Sequence, residues 1–148
     1  MQKNLLIKIF ITLFFFNSNV YSKESNYFIE GMKYFNKKEF DKSKIFFERD
    51  LVFNPKSEKS YLYLAKIFNR RENVNEEEIN LKKVLLLNPQ NDEAIYMLTI
   101  IKIEQSDYNK AKELINKFKL VCKSFCSKKN EIESKFKKLN PENAKSNY

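Results

Sequence analysis

The sequence has no histidine, one glycine, three prolines and two cysteines. The missing histidine removes the usual general base, the side chain that most often activates a nucleophilic serine, and the commonest zinc ligand. The single glycine, Gly31, rules out glycine-rich phosphate loops of both the Walker and the dinucleotide type. So few glycines and prolines leave little turn chemistry for a sheet, and an all-α chain is expected. Two thiols without histidine are too few soft ligands for a metal site. The Cys122–Cys126 spacing is not the two-residue spacing of thioredoxin-like redox sites. Acid pairs such as Glu76 with Glu78, and Asp92 with Glu93, stand where helices begin and complement the helix dipole. No catalytic constellation, metal or cofactor is expected.

The formal charge is +9 and it is unevenly spread. Residues 102–148 carry 12 Lys/Arg against 6 Asp/Glu, whereas residues 23–101 are nearly balanced, with 14 against 13. A basic C-terminal third suits an anionic polymer or surface. The abundance of Lys, Asn, Ile and Phe also matches the codon bias of an AT-rich genome. A specific nucleic-acid site would want a sharper basic stripe.

Residues 1–22 read as a secretory signal peptide: basic residues up to Lys8, an apolar run from Ile9 to Phe16, a polar stretch, then Val20-Tyr21-Ser22 before the cut. The run is short of the roughly 20 apolar residues that a span requires, so no stable membrane span is expected after cleavage. An exported location, periplasmic or secreted, follows as an expectation. Outside the cytosol the two cysteines are expected to pair with each other. Their four-residue separation requires the preceding helix to end near Cys122.

The remainder repeats itself. An offset of 34 residues aligns Tyr27, Tyr61 and Ile95; Tyr34, Phe68 and Lys102; Phe40, Val74 and Tyr108; and Phe47, Leu81 and Ile115. It also aligns Asn54-Pro55 with Asn88-Pro89, with no insertion anywhere. Such a period describes a solenoid built from one supersecondary unit. Each unit reads as two helices. Asn75, with Glu78 three residues on, is the expected cap of the second unit's second helix. Asn91 or Asp92 opens a helix through Glu104, and Asp107 another through about Val121. Residues 127–139 form a further amphipathic helix bearing Ile132, Phe136 and Leu139.

These units resemble the tetratricopeptide repeat family. The first offers Tyr27, Gly31, Tyr34, Ser43, Phe47 and Pro55; the second Tyr61, Leu64-Ala65, Phe68, Leu81 and Pro89; the third Leu98-Thr99, Tyr108, Ala111 and Ile115. The resemblance implies an α-solenoid of three helix-turn-helix units (about 24–57, 58–91 and 92–123), a capping helix over 124–140 and a disordered tail over 141–148. Asp50 and Glu77 depart from the family pattern, since both occupy usually small positions. Lys123 replaces the closing proline.

A second stripe lies about 100° from the core stripe of each first helix: Phe28, Met32 and Phe35; Leu62, Lys66, Asn69 and Arg70; Tyr96, Ile100 and Ile103. In proteins that resemble this one, that face lines a concave groove for a peptide or partner helix. The expected function is a non-catalytic scaffold or adaptor of the cell envelope, with a protein or peptide partner and room for self-association. Lys66 and Arg70 at the groove's centre would favour an acidic residue in the ligand. The residues of the family's clamp for acidic chaperone tails are absent: Phe28, Met32, Tyr63, Glu93 and Met97 stand in their places. Two alternatives are an adaptor for anionic polymers or surfaces through residues 102–148, and thiol–disulfide exchange through Cys122 and Cys126.

The leader makes a direct prediction: the exported protein begins at Lys23. Its intact mass checks this, and a membrane-bound form that keeps residues 1–22 would refute it.

Overall fold

The computed structural model describes residues 24–139. The expected leader (1–22) and the expected disordered tail (141–148) lie outside the described residues. Within them are seven α-helices: α1 (Asn26–Asn36), α2 (Phe40–Phe53), α3 (Glu58–Arg70), α4 (Val74–Leu87), α5 (Asp92–Glu104), α6 (Tyr108–Val121) and α7 (Lys129–Leu139), with a 3-10 turn at Cys126–Lys128 before the last. No strand occurs among the described residues. Each helix packs on the next in chain order, and α7 lies against both α5 and α6. The architecture is an all-α helical repeat.

The 34-residue period is visible in the backbone itself. α2, α4 and α6 begin at Phe40, Val74 and Tyr108. Two residues before each start, Lys38, Glu72 and Ser106 adopt left-handed φ values of 62°, 55° and 60°. The same hydrogen bond closes each turn: Glu39 N–H donates to the Tyr34 carbonyl at 3.0 Å, Asn73 N–H to Phe68 at 3.0 Å, and Asp107 N–H to Lys102 at 2.9 Å. Glycine is the usual residue in such a helix-ending turn. Here Lys, Glu and Ser take the conformation at a cost on the order of 1 kcal/mol each.

This turn moves the cap expected at Asn75. With Glu72 left-handed, Asn73 becomes the capping residue that precedes α4, and its side-chain oxygen accepts from Glu76 N–H at 3.2 Å. Asn75 lies inside the helix. Glu78 completes no capping box; it meets Lys102 and Lys82 instead. The caps expected at Asn91 and Asp107 are present, accepting from Ala94 and Lys110.

Close approach between helices is set by a column of small residues on the first helices. Gly31, Ala65 and Thr99 are all buried, one per pair and in the same register. Phe47, Leu81 and Ile115, at one register position of the second helices, are buried as well. At Gly31 the approach is so tight that an added Cβ would lie 2.6 and 2.7 Å from the Phe47 ring. The two acids at usually small positions are accommodated by donors. Asp50 is fully buried, and its two oxygens accept from the hydroxyls of Ser25 and Ser60, which links α2 to the starts of α1 and α3. Glu77 accepts from Asn69 Nδ2 at 3.1 Å on both oxygens; burial pushes its carboxyl above the usual range, and the Asn69 bond partly offsets this.

A clasp joins α7 to the stack. α6 ends at Val121, and Cys122 leaves the helix with ψ 138°. Cys122 and Cys126 are at disulfide distance, their Cα atoms 5.2 Å apart. Within the loop so closed, the N–H groups of Lys123, Ser124 and Phe125 all donate to one oxygen of Asp92, at 2.7, 2.6 and 2.9 Å. Asp92 opens α5, so the turn between α6 and α7 is gripped by the helix beneath. Ile132 of α7 then sits fully buried in the core. Burial pushes the Asp92 carboxyl up, but the N–H groups of Phe125, Lys123, Ser124 and Glu93 outweigh it and hold the pKa below the ordinary 3.8. The stability from this clasp is therefore fully present above that value. It is lost as pH falls through the lower, folded-state pKa.

Two outcomes follow from this packing. Gly31→Ala forces the buried Phe47 ring to move and should cost about 1–3 kcal/mol in urea unfolding despite alanine's better helix propensity. Asp92→Ala should cost about 2 kcal/mol at neutral pH. Unfolding midpoints across an acid series should show that second difference closing at low pH; a constant gap would contradict the clasp.

Candidate functional site

Two depressions open along the first helices α1, α3 and α5, the second of them also bordered by the start of α4. The first, about 580 Å³, is bordered by Phe28, Ile29 and Met32 of α1, Leu62, Tyr63 and Lys66 of α3, and Glu93 of α5, with Glu24, Glu58, Lys59 and Asn91 at its mouth. The second, about 290 Å³, lies between α3 and α5 and is lined by Asn69, Glu72, Val74, Glu77, Tyr96, Met97, Ile100, Ile101 and Glu104.

Of the residues singled out in the sequence, Phe28, Met32, Leu62 and Lys66 come together in the first depression, and Asn69, Tyr96 and Ile100 in the second. Phe35, Arg70 and Ile103 line neither. Ile103 is 1% exposed and belongs to the core. Phe28 and Leu62 are also largely buried, at 5% and 9%. Phe28 packs on the Phe47 and Tyr63 rings, so each contributes an edge rather than a free side chain. Met32, Tyr63, Met97 and Ile100, all half-buried, supply the accessible apolar surface. Ile29, Glu93, Met97 and Glu104 are lining residues outside the expected stripe. Their signal was a groove-facing arc wider than one row of residues, since a helix lying in a concave surface presents two adjacent rows.

The charge of the groove differs from expectation. Lys66 Nζ lies 2.8 Å from Glu93 and over the Tyr63 ring. The Arg70 guanidinium stacks over Phe40 and Phe35. Both cations are thus engaged within the chain, and Lys59 pairs with Glu24. The second depression has three carboxylates, Glu72, Glu77 and Glu104, and no cation in its lining. Glu104 also raises the Glu77 pKa, after burial itself. Glu104 is met from outside the lining by Lys135, so Glu72 and Glu77 are the acids that this depression leaves without a cation among the described residues.

The C-terminal helix bounds this face. Phe125 packs on the Tyr96 ring, Lys128 lies over it, and the Tyr96 hydroxyl donates to Glu131 at 2.5 Å. Burial, then the Glu131 carboxylate, pushes the Tyr96 pKa up to about 12. Five of the eleven lysines over residues 102–139 are internally paired as well. Lys102, Lys110, Lys119, Lys128 and Lys135 meet Glu78, Glu113, Glu133, Glu131 and Glu104. Glu78 feels burial first, yet its bonds from Lys102, Lys82 and Gln105 bring its pKa down to about 2. No group of His, Cys, Asp and Glu suited to a metal occurs among the described residues. No helix there is long and apolar enough to cross a membrane.

No protein-family description matches the chain, and no curated protein matches it. Among solved structures, a chain of the CopN-Scc3 complex superposes with a TM-score of 0.63 at 16% sequence identity, over 80% of this chain and 78% of that one. The likeness is one of fold: a stack of helix pairs of similar extent.

Proposed function

We propose that this chain is a non-catalytic interaction module of the tetratricopeptide type, acting outside the cytosol, whose concave face holds a short extended or helical segment of a partner protein. The observation that carries the reading is the pair of depressions along α1, α3, α4 and α5, where half-buried Met32, Tyr63, Met97 and Ile100 offer apolar sockets beside Glu72 and Glu77, which have no cation partner among the described residues. The fold it shares with a chain from a protein complex supports the same reading. Apolar contact would supply most of the affinity. The acidic lining would select a segment that carries a Lys or Arg between its anchors, because Lys66 and Arg70 are already engaged.

A displayed peptide library tests this. Peptides enriched by the protein should carry two apolar anchors and a basic residue. Met97→Arg, at a half-buried position, should leave helicity unchanged and weaken those peptides on the order of tenfold or more. Equal capture by both forms would place the partner elsewhere.

A further inference from the structure

The exposed apolar residues of this protein are not scattered. Among the described residues ten large apolar side chains are exposed, and eight lie on the second helices: Ile45, Val52 and Phe53 on α2, Val74, Ile79, Leu86 and Leu87 on α4, and Leu120 on α6. Three of them hold one register. Val52, Leu86 and Leu120 are 34 residues apart, and they are 75%, 76% and 85% exposed. Each stands at the same place on its helix, so the repeat that stacks the helices also sets these side chains in a row, away from the concave face.

A cation accompanies each member of the row. Arg49, Lys83 and Lys117 stand one turn earlier on the same helix faces, again 34 residues apart. None of the three has a carboxylate partner among the described residues, although most lysines near them do. Glu48, next to Arg49, and Glu113, one turn before Lys117, are held by Lys44 and Lys110. Isolated exposed leucines need no explanation. An apolar row bordered by three cations without carboxylate partners does. Of these, Arg49 lies over the Phe46 ring, while Lys83 and Lys117 meet neither an acid nor a ring among the described residues.

We infer that this row is a docking edge for an anionic lipid surface, into whose headgroup layer Val52, Leu86 and Leu120 insert while Arg49, Lys83 and Lys117 meet the phosphates. Two features favour a bilayer over a protein partner. The apolar side chains project and line none of the depressions described above, so a protein would have to bring three matching hollows. A headgroup layer yields to any projecting side chain. The cations are flexible and lie one turn from the apolar tips, the arrangement by which basic side chains reach phosphates while their neighbours enter the acyl boundary. Attraction to anionic lipid is worth about fivefold in affinity per cation, on the order of a hundredfold for three. The concave face remains open to its partner while the edge is docked.

The sequence contains no tryptophan, so one introduced indole reports its own surroundings. In the full chain, Leu86→Trp should show a blue-shifted emission on vesicles of phosphatidylcholine with one-third phosphatidylglycerol. Bromines placed high on the acyl chains should quench it. Lys33→Trp on α1 serves as the control and should stay unquenched on the same vesicles, even where the leader segment holds the chain to them. Adding Arg49→Gln, Lys83→Gln and Lys117→Gln to the Leu86→Trp protein should reduce the quenched fraction several-fold at limiting lipid, with helicity unchanged. Quenching at position 86 no greater than at position 33 would overturn the inference. So would a blue shift that grows with protein concentration in the absence of lipid, which would give the row to a second copy of this chain.

Discussion

The stack rests on how closely a first helix can approach its second helix. At Gly31 the helices come near enough to seal Phe47 from water. The residues in the same register, Ala65 and Thr99 on the first helices and Leu81 and Ile115 on the second, are buried too. One helix pair has too little apolar surface to do this alone, so each pair borrows the next as a wall. The chain places its single glycine in mid-helix against Phe47 rather than in a turn. The three turns then have to manage with Lys38, Glu72 and Ser106 in a conformation that glycine would adopt freely.

The same geometry explains how two acids can sit at positions usually held by small residues. Asp50 and Glu77 are buried with donors already pointed at them: Ser25 and Ser60 for the one, Asn69 for the other. A buried carboxylate with both oxygens satisfied fixes the helices that present its donors and holds their register. Asp92 extends this logic to the end of the stack, where three N–H groups of one short loop converge on a single oxygen. Carboxylates thus connect α1 to α2 and α3, α3 to α4, and α5 to the turn before α7.

The repeat and its helices were legible from residue types alone, because a 34-residue period over three copies needs no knowledge of packing. The end of α6 beside Cys122 was legible too, since two cysteines four residues apart can come to disulfide distance only where the helix stops near the first of them. Asn73 was missed in favour of Asn75 because its role depends on Glu72 being left-handed, and nothing in a glutamate announces that. The groove was legible in outline and not in charge. Whether Lys66 is free depends on Glu93, which lies 27 positions along the chain and becomes its neighbour only when α5 stacks on α3. Phe28 and Ile103 looked peripheral because one row of residues was assigned to the core, whereas a helix wedged between two neighbours buries more than one.

Contacts in this fold run almost wholly between consecutive helices. A chain built that way has no distant pairing that must form before the rest, so assembly can begin at any pair and spread in both directions. Its cooperativity is that of a row of coupled neighbours, each link carrying its own share. Under stress such a row frays from its ends. The loop between Cys122 and Cys126 matters most in that light: it anchors the final helix back to α5, a link that skips a neighbour, and makes one terminus of the row behave like its middle.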